Sequence, residues 1–277
     1  MPAKKTNPYS VTAIIPAFNA GASIARALES ALSQTLPPDE IIVVDDGSSD
    51  DTAEQVKRFK NKVKYIRQDN SGPGQARNTG IEAAKSKWIA FLDSDDEWMP
   101  ERLESQMKII QRHSDLAWCG GNAVNNNFGV ETFRSNPDKA LCGLGSKEYF
   151  DNYLLAVGKG HIIEATNTFL IRKDVFSEVG MFDPSFLRAE DSDMWCRIAF
   201  KYPQFGYVNK PLARFHLDVR NPILQERRTK AKDGKVFRRL VDKLIPIAKQ
   251  YGREAEFDIY ATWLLRESLL QTIYHGY

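Results

Sequence analysis

Residues 88–97 read WIAFLDSDDE. Trp88–Leu92 is an apolar run of the length of a buried strand, and it breaks abruptly into Asp93, Ser94, Asp95, Asp96 and Glu97. Ending an apolar strand in clustered negative charge is costly unless something neutralises it. Hard carboxylate oxygens suit Mg²⁺ or Mn²⁺ rather than zinc, and a site with few protein ligands completes its shell with substrate phosphates and water. A competing reading makes these acids caps of the helix expected over Pro100–His113, where negative charge near the N-terminus is favourable.

Upstream, the same kind of strand recurs. Val11–Ile15, Ile41–Val44 and Val63–Ile66 are short apolar runs, each followed by polar punctuation. Between them, Ala22–Leu32 carries Ile24, Ala27, Leu28, Ala31 and Leu32 at helical spacing, and Asn78–Ala84 is also helical in pattern. Ser49 and Asp50 are placed to cap a further helix reaching Phe59. Strands alternating with helices at this spacing predict an α/β fold with a mostly parallel central sheet flanked by helices. Residues 114–165 are less regular, with a loop-like NNNFG around Asn125. Beyond them, Glu164–Ile171 is expected as a strand, and Lys173–Val179 and Asp193–Lys201 as helices.

In an open parallel sheet, ligands bind at the carboxyl ends of the strands. Three such ends carry polar residues: Pro16-Ala17-Phe18-Asn19, Asp45-Asp46-Gly47-Ser48-Ser49-Asp50 and Asp93-Ser94-Asp95-Asp96. Asp-Gly-Ser after a strand is also ordinary turn chemistry, and only three tips converging on one crevice make a candidate ligand site. The linker QDNSGPGQARNTG, residues 68–80, adds flexible glycines and Arg77, a candidate to reach a phosphate. It has neither the Walker A pattern nor GxGxxG, so cradling by backbone alone is not expected.

The 277 residues carry 38 Lys and Arg against 36 Asp and Glu, and the net charge of +2 gives no reason to expect a nucleic-acid partner. Cys119, Cys142 and Cys196 lie far apart and form no CxxC pair, which fits small buried hydrophobes in a reducing, cytoplasmic setting. The polar opening MPAKKTNPYS does not read as a signal peptide, and no apolar run reaches the length of a bilayer span.

IIPAFNA, VVDDGSSDDT, SGPGQARNTG, WIAFLDSDDEWMP and RAEDSDMWCRIA occur in an order that resembles the inverting glycosyltransferases of family 2, over about Val11 to His216. The resemblance implies the GT-A fold, a Rossmann-like α/β domain with one continuous sheet, here expected over residues 1–220. It also implies transfer of a sugar from a nucleotide-diphosphate sugar, with a UDP-sugar favoured. Transferred residue by residue, Asp46 resembles the acid that contacts the base and Phe18 packs on that base. Pro16 and Ala17 supply backbone near the nucleotide, and Arg77 lies near base and phosphates. Asp93 and Ser94 approach the donor, and Asp95 binds Mn²⁺ or Mg²⁺ on the diphosphate with His216 nearby. Glu190 and Asp191 resemble the later acidic pair, in which Asp191 is the general base and Glu190 lies on the acceptor side. Trp195 has two readings, an acceptor-side contact and, the favoured one, a buried aromatic on an amphipathic helix. The usual glycine before that pair is Ala189 here. Inversion is consistent with the assignment, because base and metal belong at opposite ends of the donor sugar and a base far in sequence from the metal ligand fits that requirement.

Two rival functions remain. A sugar-phosphate nucleotidyltransferase would carry a GxGxR-type loop after the first strand, where this chain has PAFNAGASIARA. A non-enzymatic nucleotide-sugar binding module would have no use for both Asp95 and Asp191. The expected acceptor is a carbohydrate or lipid-linked molecule, as in polysaccharide biosynthesis. The segment 221–277 is expected as a helical extension. Between Arg220 and Arg253 eleven basic residues face three acidic ones, with Val236, Phe237, Leu240, Val241 and Leu244 at helical spacing. Such a helix either meets an anionic membrane as a peripheral contact on its inner face or packs its stripe on its own domain or a second copy in a homo-oligomer.

Overall fold

The computed structural model describes residues 7–217 and 235–274, with side chains to residue 270. The expectations placed on Arg220, Arg227, Arg228, Lys230 and Lys232 lie outside the described residues. The first half of the chain follows the alternation read from sequence. Its elements are β1 (Val11–Ala17), α1 (Ile24–Leu32), β2 (Glu40–Asp45), α2 (Thr52–Lys57), β3 (Lys64–Arg67), α3 (Pro73–Ala83) and β4 (Trp88–Phe91). Strands β3, β2, β1 and β4 are neighbours in that order and pair in parallel. Every residue of β1 and β4 is buried, as unbroken apolar runs require when helices cover both faces. Helix α1 buries Ile24, Ala27, Leu28 and Ala31, one stripe of a 3.6-residue period. Helix α3 lies close on β1 because Gly80 leaves room: a Cβ there would sit 2.4 Å from Ile14 Cγ2.

The second half is less regular in sequence and more β-rich in structure. Short β5 (Glu97–Trp98) and α4 (Arg102–Arg112) lead into β6 (Trp118–Asn127), which turns through Phe128-Gly129 into β7 (Val130–Phe133). The segment expected to be irregular thus contains a ten-residue strand. Its small and polar residues (WCGGNAVNNN) hide the strand pattern, and two of its glycines are needed because Cβ atoms at Gly120 and Gly121 would meet Phe205 and Leu212 side chains within 2.6 Å. After α5 (Pro137–Leu144), β8 (Tyr149–Phe150) and α6 (Tyr153–Gly158), the strand expected over Glu164–Ile171 is replaced by a 3₁₀ turn at Thr166–Thr168 and a short β9 (Leu170–Arg172). The side chains of Thr166 and Asn167 are turned to acidic partners described below, which draws this stretch out of a ladder. Helices α7 (Asp174–Val179) and α8 (Glu190–Lys201) precede β10 (Phe205–His216).

The full sheet order is β3-β2-β1-β4-β9-β6-β10-β5, with β7 on β6 and β8 on β10. Parallel pairing returns between β6 and β10, while β9, β5, β7 and β8 pair antiparallel. The sheet is therefore mixed, parallel in its first half.

Hydrophobic clusters fill both faces. One face holds Ala13, Ile15, Leu28, Leu103 and Ile110; the other holds Ile14, Phe91, Trp118, Phe169 and Trp195. The helices past the irregular middle join the second cluster. Helix α9 (Lys235–Gln250) contributes Leu240, Leu244 and Ala248, and α10 (Glu254–Tyr274) contributes Phe257, Tyr260, Ala261 and Leu264. Val236, Phe237 and Val241 pack against it from the edge, so the apolar stripe of α9 lies on its own chain. Among the described residues no helix is long and apolar enough to cross a membrane.

Candidate active site

The three polar strand ends meet at one edge of the sheet and are tied together. Asp46 N–H donates to Ala17 O at 2.8 Å, Asn19 N–H donates to Ser48 Oγ at 2.9 Å, and Arg26 donates to Asp95 O. Pro16 and Ala17 end β1 in the core, and Phe18 beside them is half-exposed. Asp46 holds the glycine-rich linker in place. Its Oδ1 accepts from Gln68 Nε2 at 2.8 Å and Ser71 N at 2.9 Å, and its Oδ2 from Gly72 N at 2.8 Å. That linker then enters α3 at Pro73, a good first helical residue.

Arg77, on α3, is the centre of the arrangement. Its guanidinium donates to Asp93 Oδ1 at 3.0 Å and to Glu190 Oε1 at 2.9 Å, with the Phe182 ring beneath it. Burial opposes its charge, but Asp93, Glu190 and Asp191 more than offset that and hold it firmly protonated. The Asp93–Asp96 and Glu190-Asp191 tips, about a hundred residues apart in sequence, are thereby placed within the span of one side chain.

At the first tip, Asn167 clamps the turn: its Nδ2 donates to Asp96 Oδ2 at 2.5 Å and its Oδ1 accepts from Asp93 N at 2.8 Å. Asp96 is buried and also accepts from His216 N at 2.9 Å. Burial, with Asp95 and Asp93 beside it, pushes its carboxyl well above the usual range. Ser94 is half-exposed, and the Asp95 carboxyl is raised by burial and by Asp93. His216, at the end of β10, sets Nε2 2.6 Å from Glu97 Oε2, and Arg214 donates to the same Glu97 oxygen at 3.0 Å. Burial works against Glu97 ionising, yet these partners hold its carboxyl below the ordinary value.

Among the described residues no three His, Cys, Asp or Glu side chains form a ready metal cage. Asp93 is committed to Arg77 and Asp96 to Asn167, which leaves Asp95 as the carboxylate best placed for a cation. A donor set this small fits a hard ion that brings most of its shell with the substrate.

At the second tip, α8 begins at Ala189, whose φ of 63° is left-handed. A side chain other than glycine is strained there, which gives a physical reason for the glycine usual at that position. Asp191 Oδ1 accepts from Ser192 N at 2.8 Å and Oδ2 from Thr166 Oγ1 at 3.3 Å. Burial and Asp191 raise the Glu190 carboxyl, and Arg77 opposes that rise. Of the two readings of Trp195, the buried one holds and the acceptor contact does not. It is fully buried against Phe91, Phe169 and Phe182 on the core side of α8 and reaches no surface.

Three residues that the sequence reading passed over belong to the site. Asn167 is one. Arg134, stacked on Phe215 with its guanidinium 4.2 Å from the ring centroid, faces Asp96, Asp191 and Asp93. Glu164 lies behind Asp191 and accepts from Ser192, Tyr153 and Tyr260 hydroxyls. The sequence offered no local signal for Glu164, which opens the polar stretch Glu164-Ala165-Thr166-Asn167-Thr168, or for Arg134.

Residues 12–180 match the family model described as glycosyl transferase family 2. The chain belongs to that family. An uncharacterized glycosyltransferase of Rickettsia prowazekii is 33% identical over 196 residues, covering 69% of this chain and 59% of the relative. An Escherichia coli relative, WfgD, named as a UDP-Glc:α-D-GlcNAc-diphosphoundecaprenol β-1,3-glucosyltransferase, is 35% identical over 147 residues, covering 50% of this chain and 58% of its own. This family 2 member thus spans about six tenths of the length of these two relatives. Staphylococcus aureus TarS, solved with UDP-GlcNAc, superposes with a TM-score of 0.70 at 19% identity over 92% of this chain and 71% of TarS. The Pyrobaculum calidifontis mannosyltransferase PcManGT, solved with GDP-Man and Mn²⁺, gives 0.62 at 18% identity over 95% and 74%. At such identities these structures establish the fold, GT-A. The matched residues include the Asp46 and Asp93–Asp96 tips and stop short of Glu190 and Asp191.

Proposed function

We propose that this family 2 protein transfers a sugar, with inversion, from a nucleotide-diphosphate sugar to an acceptor hydroxyl. The observation that carries the reading is the double ion pair of Arg77 to Asp93 and Glu190, which sets two acidic tips on either side of one crevice. Asp46, Phe18, Pro16 and Ala17 line the nucleotide end, and Asp93 and Ser94 lie toward the donor sugar. In the transfer, the acceptor oxygen forms a bond to the anomeric carbon while the bond to the diphosphate oxygen breaks. The electron pair leaves with the nucleoside diphosphate, and Asp191 takes the hydroxyl proton as general base. Mn²⁺ or Mg²⁺, held by Asp95 with His216 close by, would offset charge developing on the diphosphate. A UDP-sugar is the favoured donor, since TarS was solved with UDP-GlcNAc and WfgD is named for UDP-Glc. A carbohydrate or lipid-linked acceptor suits the GlcNAc-diphosphoundecaprenol in the name of WfgD.

The test is a thermal-shift screen of UDP-Glc, UDP-GlcNAc and GDP-Man with and without Mn²⁺, because ligands of the native state raise its apparent stability. Asp95→Asn should abolish the Mn²⁺-dependent shift. Asp191→Asn should keep it while transfer falls by ~10²–10⁴-fold, the range for loss of a general base. Loss of donor affinity with turnover intact would make Asp191 a binding residue and overturn the assignment.

A further inference from the structure

Behind Asp191 lies a buried polar network that donor binding and the base leave unexplained. Glu164 Oε1 accepts from Tyr153 Oη at 2.9 Å and from Tyr260 Oη at 2.9 Å, and its Oε2 accepts from Ser192 Oγ at 2.8 Å. Ser192 faces both acids, because its backbone N–H donates to Asp191 Oδ1 at 2.8 Å. Two residues beyond Glu164, Thr166 donates to the other Asp191 oxygen. One short segment therefore grips the first turn of α8 at two points. The three donors to Glu164 come from α6, α8 and α10, and both tyrosines are fully enclosed.

All three donors are hydroxyls. A hydroxyl can donate to a carboxylate or rotate to accept from a carboxylic acid, so this cage accommodates either protonation state without moving. An arginine or amide cage would lock the ionised form instead. Tyr153, Asp191, Cys196 and Tyr260 face Glu164, and Asp191 brings a like charge. Asp191 in turn is faced by Arg77, Arg134 and Tyr153 and lies beside Glu190. Burial and the Asp191 charge push Glu164 up to about 7, against the pull of the Ser192, Tyr153 and Tyr260 hydrogen bonds.

We propose that Glu164 is a positioning residue for Asp191: through Ser192 it fixes that carboxylate, and through Tyr260 it makes the arrangement depend on the C-terminal helix α10. The inference rests on the reading of Asp191 as the base. It assigns a working part to a helix that lies outside the residues matched by the family model. A second tie holds the same helix turn from α9, where Lys243 Nζ lies 2.6 Å from Asp193 Oδ1 and 2.9 Å from Asp183 Oδ2.

The experiment is a carboxyl ¹³C NMR titration of the full, ligand-free chain, in wild type, Asp191→Asn and Tyr260→Phe. The Glu164 midpoint should fall by about one pH unit in Asp191→Asn, where the like charge is gone. It should rise in Tyr260→Phe, where the ionised form loses a donor. A Glu164 midpoint indifferent to both changes overturns the proposal. Kinetics supply the second arm, with whichever of UDP-Glc, UDP-GlcNAc or GDP-Man gives the thermal shift. Glu164→Gln should lower turnover about tenfold or more and remove the pH dependence of turnover near 7, with donor KM unchanged. If Glu164→Gln fails to fold, Tyr260→Phe should shift that pH dependence upward and keep KM, and an unshifted profile counts against the proposal. An active Asp191→Asn enzyme would sink the base itself. An inactive one, combined with an unmoved Glu164 midpoint, would sink only the role given to Glu164.

Discussion

Two acidic clusters face each other across Arg77, and they are neutralised in different ways. Asp93, Asp95 and Asp96 are neighbours in sequence and are restrained by an amide, a backbone N–H and the arginine itself. Glu190 and Asp191 are also neighbours in sequence, but Glu164 is brought to them only by the fold, and hydroxyls do most of the restraining. Fixed donors suit a cluster that keeps its shape while a cation and a diphosphate come and go. Hydroxyls suit a cluster through which a proton passes, because they donate or accept without rearrangement. Arg77 makes the ion pairs that join the two clusters, so its loss should be felt most.

Arg77→Met would leave Asp93 and Glu190 without their common cation while roughly preserving side-chain volume. Removing one partner of a buried ion pair costs about 3–5 kcal/mol, and Arg77 is only 6% exposed at its side chain. Urea unfolding should show a loss of that size, and a loss under about 1 kcal/mol would mean the clusters are not held together through it. Next in size is the attachment of the C-terminal helices to the second cluster. Leu244 on α9 is fully buried in the shared core, and Leu244→Ala should cost about 2–4 kcal/mol in one cooperative transition. A separate, earlier transition confined to the helices would show that α9 and α10 fold apart from the sheet.

A third effect is confined to one proton of the second cluster. Glu164 is raised from an ordinary 4.5 to about 7, chiefly by burial and then by Asp191. The folded state therefore binds this proton more tightly than the unfolded chain, so the stabilisation is complete below about 4.5 and is lost as pH rises to about 7. Glu164→Gln carries no such proton. The melting temperature of wild type relative to that variant should decline between those two values and stay level outside them. A constant difference would place Glu164 in an ordinary, solvated setting.

The same contrast explains what could be read in the sequence. Apolar runs ending in charge, as in WIAFLDSDD and IIVVDD, announce a strand and its ligand-facing end together. Burial on both faces enforces the pattern, which is why β1 to β4 and the first cluster were legible. Strand β6 was not, because Gly120 and Gly121 serve close packing against Phe205 and Leu212, which erases hydrophobic alternation. Glu164 needed partners 28 and 96 residues away, Ser192 and Tyr260, to become a buried acid, and no local spacing records such a meeting. Trp195 was ambiguous in another way: its place beside the acidic pair allowed an acceptor contact and its helical spacing a core position, and helix geometry turns it into the core.

The smallest expected effect concerns the turn that delivers the second cluster. Ala189 opens α8 with φ 63° and ψ 18°, a conformation that costs an L-residue about 1–2 kcal/mol. Asp93–Asp96 contains no residue with positive φ, so strain distinguishes the two tips as well. Ala189→Gly relieves the strain but gives up part of it, because glycine adds about 0.4–1 kcal/mol of freedom to the unfolded chain. The buried methyl is lost too, since Ala189 is only 6% exposed. The net gain should be about 0.5 kcal/mol, a rise in melting temperature of roughly 1–2 °C for a domain of this size. Under the proposed function donor binding should be unchanged, because the nucleotide end assigned there is built from other strands. A fall in melting temperature would show that the methyl's packing, rather than the left-handed backbone, decides the energy of this turn, and that alanine is then the better residue to carry Glu190 and Asp191 into the crevice.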